Sequence, residues 1–227
     1  DIAADFVYFG SSIPTYELPG GLKRVYDYHT WSQMGDDSLN FPFFDSVDTY
    51  LGASQKSSAL NFVTVNIDSL AKVLENKEAF AYTTLILESN ELIPTYDWRQ
   101  MIYALIEVGI HQPVMVKLTL PKSYDHFDNG QYPKNVQITE EAMIQLTMAS
   151  NGSTLLVDGL IEGLWVDLAD KTRIRTAFGM LQLARLRITK TEYISCPSCG
   201  RTLFDLQETK ARIRKRTEHL KGVKIGS

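Results

Sequence analysis

The sequence predicts an α/β fold on a parallel sheet, a partial or distorted barrel-like domain followed by an incomplete βαβ unit of a second domain. Three observations predict it. From residue 61 onward, short apolar runs alternate with longer amphipathic stretches, the element order of a parallel sheet. TTLILES (83–89) and PVMVKLTL (113–120) are apolar almost throughout, as strands covered on both faces are. Only five or six such runs occur, too few for a closed eight-stranded barrel, so a partial barrel or an open doubly wound sheet remains.

In chain order, FVYFG (6–10) reads as a short strand. Residues 11–60 carry Pro, Gly, Ser and Asp punctuation with many aromatics, as in YDYHTW and FPFFD. Without a clear helical or strand period, they are expected to form a long irregular arm pinned by aromatic anchors. NFVTVN (61–66) is a strand, and Asp68 caps a short helix with Leu70, Val73 and Leu74 on one side. After the strand at 83–89, Thr95 opens a helix bearing Trp98, Met101, Ile102, Leu105 and Val108 at helical spacing, with Gly109 as its stop. The strand at 113–120 leads through a polar loop to a helix capped by Thr139 and ending near Asn151–Gly152.

STLLVDGL (153–160) and GLWVDL (163–168) read as two further strands. RIRTAFGMLQLARLRI (173–188) is amphipathic, with Ile174, Ala177, Phe178, Leu181, Ala184 and Ile188 on one face. A new unit begins near Thr189. YIS (193–195) is a strand, CPSCG a tight loop, and Thr202 with Asp205 a capping-box-like helix start. A basic helix then runs to about Leu220, and VKIG opens another strand.

A chain of 227 residues with 44% hydrophobic and 22% charged residues suits one large domain, or one domain and part of another. The net charge of −4 leaves no overall footprint for nucleic acid, and no apolar run reaches the roughly 20 residues of a membrane span. Two cysteines in this length fit a reducing, cytoplasmic setting better than a disulfide-stapled secreted fold. The opening DIAADFVYFG has neither a starting Met nor a signal pattern, and HLKGVKIGS breaks off at a strand start. Both ends read as cuts in a longer protein.

The two cysteines, Cys196 and Cys199, stand in YISCPSCGRTLFDLQ (193–207). Cys199 precedes a helix start, where unpaired N–H groups and the macrodipole favour an anion, and Arg201 adds a positive charge. Both effects favour the thiolate, the form that binds metals or attacks disulfides. Three functional readings stay open on the residues alone: a thiol–disulfide site, half of a zinc knuckle, and part of an iron–sulfur site. Two unreactive loop thiols are the plain alternative. His29, His111, His126 and His219 are scattered and read as surface or hydrogen-bonding residues.

Asp158 and Glu162, after an apolar run, are candidates for Mg²⁺ binding or acid–base work. As loop-capping acids they need no such role, and that is the favoured reading. Glu88 and Lys117 are expected to pair at neighbouring strand ends without a functional role. Lys210, Arg212, Arg214, Lys215 and Arg216 form a basic helix face, read as solvated more than as an anion or partner site. No phosphate-cradling glycine loop is present.

KTEYISCPSCGRTLFDLQ (190–207), the basic helix and HLKGVKIG together closely resemble one family, 4-hydroxy-3-methylbut-2-enyl diphosphate synthase. This is the iron–sulfur enzyme of the methylerythritol phosphate route to isoprenoids. AFGMLQLARLRITKTEY resembles the segment leading into that family's cluster domain. The resemblance is to the long form found in plants, chlamydiae and Bacteroidetes-type bacteria. It implies that residues 1–187 are an inserted α/β domain and 188–227 the beginning of the cluster domain. In that family three cysteines and a glutamate hold a 4Fe–4S cluster, so Cys196 and Cys199 correspond to the first two ligands, with the others absent from this chain.

The implied reaction is reductive opening of 2-C-methyl-D-erythritol 2,4-cyclodiphosphate, with ferredoxin or flavodoxin as electron donor and the substrate held by a barrel domain absent here. By the same resemblance the full protein is an oxidoreductase, while this fragment is expected to be inactive, without a stable cluster, and the insert structural. The rivals are a thiol–disulfide oxidoreductase using Cys196 and Cys199, and a partner-binding module.

Overall fold

Seven short segments rich in β-branched and aromatic residues pair side by side in strict chain order. They are β1 (Phe6–Gly10), β2 (Lys23–Asp27), β3 (Asn40–Phe44), β4 (Asn61–Val65), β5 (Thr83–Leu87), β6 (Val114–Leu118) and β7 (Gly163–Val166), and every pairing is parallel. The computed structural model describes residues 4–35, 37–91, 93–119, 139–167, 170–194, 205–220 and 222–226. A parallel pair needs a crossover: irregular residues 11–22 join β1 to β2, and the other five carry α1 (Tyr28–Met34), α2 (Val47–Gly52), α3 (Leu70–Glu75), α4 (Thr95–Glu107) and α5 (Glu140–Val157), with α6 (Lys171–Leu183) after β7.

Side-chain alternation divides the strands into two faces. Val63 and Val65 of β4, Leu85 and Leu87 of β5, and Val114, Val116 and Leu118 of β6 face the helices. There they join Trp98, Met101, Ile102 and Leu105 of α4 and Leu155 and Leu156 of α5 in the main core. The alternate residues Val25, Phe41, Phe62, Ile86 and Trp165 form a second core on the opposite face, with Phe6, Phe43 and Met115 against it.

That inner core shows that the sheet is curled. Six strand spacings of about 4.8 Å would hold β1 and β7 roughly 29 Å apart in a flat sheet. Instead the Tyr8 ring of β1 lies 5.2 Å from the Trp165 ring of β7, and Phe6 of β1 meets Phe62 of β4 edge-on at 5.0 Å. Among the described residues β1 and β7 share no ladder hydrogen bonds. The domain is therefore a partial barrel, open on one side and filled by aromatic rings.

Residues 11–22 are irregular, as expected of an aromatic arm, but residues 23–52 are not: they form β2, α1, β3 and α2. The pattern hid them for a physical reason. Each strand is five residues long, carries polar Lys23, Asp27 or Asn40 at its ends, and in β3 contains Pro42, so neither strand shows an unbroken apolar run. Helix α1 buries only Trp31, whose indole N–H donates to the Asn40 carbonyl at 3.1 Å.

Of the expected strand at 153–160, residues 153–157 are instead the end of α5 and 158–160 the turn after it; the helix is capped at its start by Thr139 accepting from the Ala142 N–H at 3.2 Å. Gly152 is no stop here but a point of close approach. A Cβ added to it would lie 2.8 Å from the Met180 methyl of α6 and 3.4 Å from methyls of Leu118 and Leu164. The glycine lets α5 press onto the sheet and α6, which turns Leu155 and Leu156 into the core.

Helix α3 starts after Ser69 rather than at Asp68, and α4 ends before Gly109 in its left-handed turn, as expected (φ +76°). Helix α6 ends at Leu183, so Ile188 lies beyond it and is half-exposed.

A second, two-stranded parallel sheet pairs β8 (Glu192–Ile194) with β9 (Lys224–Gly226) across α7 (Leu206–Thr217), completing the βαβ unit expected at the end of the chain. The cap of α7 is Asp205 itself, whose carboxylate accepts from the Gln207 and Glu208 N–H groups at 2.8 and 2.9 Å. Thr202, expected to be the cap, lies outside the described residues. No residue of α7 is buried.

Two outcomes test this packing. Replacing Gly152 with Val overfills a tight contact and is expected to lower unfolding free energy by about 1–3 kcal/mol in urea titrations. Trp165→Ala removes the ring joining the two ends of the curled sheet, and its expected cost is about 3–5 kcal/mol.

Candidate functional sites at the strand ends and the cysteine unit

In a parallel sheet all strands end at the same rim, and in barrel folds that rim carries the ligand-binding chemistry. Inward-facing polar residues stand there; besides the buried Thr64 of β4, six other strands contribute one each. Tyr8, Asp27, Asp45, Glu88, Lys117 and Asp167 sit in or just after β1, β2, β3, β5, β6 and β7 respectively. Aromatic rings form the floor: Tyr8, Phe43 and Trp165 are mutually 5.1–5.2 Å apart.

The rim is internally bonded. Tyr8 donates its hydroxyl to Asp27. The Lys117 ammonium donates to Glu88 at 2.9 Å and lies 3.7 Å from Asp167, which also accepts from Thr119 Oγ1 at 3.3 Å. Asp45 accepts from Thr49 Oγ1 at 3.0 Å, tying the end of β3 to α2.

Burial, the hydrogen bond to Asp27 and the nearby charges of Asp27, Asp167 and Asp45 all push the Tyr8 phenol far above its ordinary value. For Lys117 burial acts downward, yet the bond to Glu88 and the charges of Asp167 and Glu88 outweigh it and raise the ammonium. Neither group is a base near neutrality: the phenol stays a donor and the amine stays a cation. Among the described residues of the rim, four carboxylates face one ammonium, that of Lys117, and two of them pair with it.

The residues singled out in the sequence are dispersed. Glu88 and Lys117 form the expected pair. Asp158 and Glu162 lie between α5 and β7, at the amino-terminal rim, because the segment before them is a helix and not a strand. Asp158 is ion-paired to Arg99, and Glu162 accepts from the Val114 N–H at 2.7 Å. Both are loop-holding acids on the rim opposite the strand ends.

His29 is bonded to Gln33 in α1 at 3.0 Å, and His111 and His219 are exposed and distant in sequence. His126 lies outside the described residues. No group of three or more His, Cys, Asp or Glu among the described residues is placed to hold a metal. The rim acids Asp27, Asp45 and Asp167 escaped the sequence reading. Their signal is present in KRVYD, FPFFD and GLWVD, each a short run with an aromatic residue closed by Asp, but two of those runs lie in the punctuated stretch 11–60 whose pattern suggests an arm.

Cys196, Cys199 and Arg201 also lie outside the described residues, in the connection from β8 to α7. The unit around them is described. Tyr193 of β8 shares a hydrogen bond with Thr217 of α7 at 3.0 Å, and Arg214 lies over the Tyr193 ring at 5.8 Å. Of the basic residues on α7, Arg214 thus has a packing role within its own unit.

No protein-family model matches the chain. Among curated proteins, a 4-hydroxy-3-methylbut-2-en-1-yl diphosphate synthase (flavodoxin) of Parabacteroides distasonis is 32% identical over 226 residues, 98% of this chain and 34% of that protein. The synthase (flavodoxin) of Porphyromonas gingivalis is 36% identical over 206 residues, 86% of this chain and 32% of that protein. A chloroplastic synthase (ferredoxin) of Oryza sativa is 43% identical over 120 residues, 52% of this chain and 14% of that protein. The chain spans about a third of the length of the first two relatives. Over nearly its whole length, this chain is a homologue of one segment of the flavodoxin-type 4-hydroxy-3-methylbut-2-en-1-yl diphosphate synthases.

Proposed function

We propose that the chain is the middle segment of a long-form 4-hydroxy-3-methylbut-2-enyl diphosphate synthase, an oxidoreductase of isoprenoid biosynthesis working in the cytoplasm. The partial barrel, residues 1–187, is its inserted structural domain, and residues 188–227 open its iron–sulfur domain. The observation that carries this reading is the 32% identity to a synthase of that name across 98% of the chain. The CPSC unit lies within the part so matched.

Cys196 and Cys199 are assigned as two ligands of a 4Fe–4S cluster, which supplies the electrons for reductive opening of 2-C-methyl-D-erythritol 2,4-cyclodiphosphate. A cubane cluster needs three or four protein ligands, and the two thiols are the only cysteines here. The donor set of this chain is therefore half of one, and the other ligands belong to the longer protein. A flavodoxin, or a ferredoxin as in the name of the rice relative, delivers the electrons.

What the described residues contribute is position. The capped start of α7 and the β8–β9 ladder hold both ends of the cysteine connection. Among the described residues, the strand-end rim of the partial barrel carries carboxylates bonded to neighbouring side chains and a paired lysine, which supports a scaffold.

Two measurements test the reading. Anaerobic reconstitution of this chain with iron and sulfide is expected to leave no stable cluster absorption, whereas the longer protein acquires it and loses it on Cys196→Ser. A complete cluster spectrum from the monomeric chain would sink the assignment of missing ligands. In the longer protein, Asp158→Asn and Glu162→Gln are expected to leave turnover within about twofold of the unaltered enzyme, since both acids sit at the rim away from the strand ends. A large loss without loss of folding refutes the structural role of the insert.

A further inference from the structure

The two units meet at residues 184–191, and that stretch is bonded far more densely than a linker requires. Gln182, in the last turn of α6, uses both ends of its amide. Its Oε1 accepts from the Thr189 N–H at 3.1 Å, the Thr189 hydroxyl at 3.0 Å and the Lys190 N–H at 2.9 Å. Its Nε2 donates to the Lys190 carbonyl at 3.0 Å and approaches the Glu192 carboxylate at 3.4 Å. One side chain thus binds the segment that leads into β8 to the helix that leaves the barrel, and reaches Glu192 at the start of that strand.

The end of α6 shows a second anomaly. The Arg185 N–H donates to the Gln182 carbonyl at 3.1 Å and the Leu186 N–H to the Leu181 carbonyl at 3.0 Å, the paired bonds of a Schellman turn. Such a turn needs a left-handed residue and usually takes glycine, but here Arg185 adopts it (φ +63°), the one non-glycine residue with positive φ among those described. A side chain kept at a position that disfavours it points to a use for that side chain. Arg185 makes an ion pair with Glu192 of β8, directly across the joint. Beyond it, Arg187 pairs with Asp5, just before β1, at 2.6 Å and lies over the Phe178 ring of α6.

We infer that Gln182, Arg185 and Glu192 form a latch that sets the orientation of the cysteine-bearing βαβ unit against the partial barrel. They are positioning residues: none needs to touch the cofactor proposed for that unit. The functional part of this inference rests on the reading given above; the latch itself does not.

The latch is tested in the 227-residue chain by residual dipolar couplings and amide exchange. In the unaltered chain both units are expected to fit one alignment tensor, with slow exchange at the Thr189 and Lys190 amides. Gln182→Ala is expected to speed exchange at both amides by about tenfold, the equivalent of one lost hydrogen bond. Arg185→Gly removes the ion pair but relieves the left-handed backbone, so its Tm should hold or rise while the units separate into two tensors. Arg185→Lys should keep one tensor. Splitting by either Gln182→Ala or Arg185→Gly supports the latch. Two tensors in the unaltered chain, or one tensor in both variants, overturns it.

In the longer, iron-loaded protein, Gln182→Ala is expected to lower kcat by about tenfold through misplacement, with KM and iron content unchanged. Unchanged kcat overturns the positioning role. Unchanged iron on Cys196→Ser overturns the cofactor reading instead and leaves the latch standing.

Discussion

Everything in the larger unit depends on parallel pairing in strict chain order, bent round until Tyr8 of β1 touches Trp165 of β7. Parallel order sends all strand ends to one rim and all helix-to-strand loops to the other. Curling then converts one face of the sheet into an interior. That interior is packed with Phe6, Phe41, Phe43, Phe62 and Trp165, and among the described residues it is rings, not a ladder, that bridge β1 and β7.

The same constraint explains the charge at the rim. Inward-facing residues at strand ends are partly buried, and a lone charge there would be costly. The protein pairs them: Tyr8 with Asp27, and Lys117 between Glu88 and Asp167. Among the described residues, these pairings occupy the Tyr8 hydroxyl and the Lys117 ammonium.

Legibility followed the length and purity of the patterns. β4, β5, β6 and α4 were readable because each is buried on its expected face over a full element. β2, β3 and α1 were not, since five-residue strands closed by Lys23, Asp27 and Asn40 look like punctuated loop. The segment 153–160 misled because a continuous apolar run suits a buried strand and a buried helix equally. Only the contact of Gly152 with Met180, Leu118 and Leu164 shows why the glycine continues the helix there. The rim acids were invisible as a group because their proximity arises from strand order and curl, over a separation from Asp27 to Asp167.

By itself the sequence determined the class of fold, the strand–helix–strand order after residue 190, and the resemblance carried by YISCPSCGRTLFDLQ, because periodicity and motif wording are local properties. Tertiary structure alone decided that Asp158 and Glu162 lie on the rim away from the strand ends, that Tyr8, Asp27, Asp45 and Asp167 share one mouth, and that Gln182 holds the joint. These are non-local facts. They follow from which strand neighbours which and from how far a curled sheet brings its first strand round to its last.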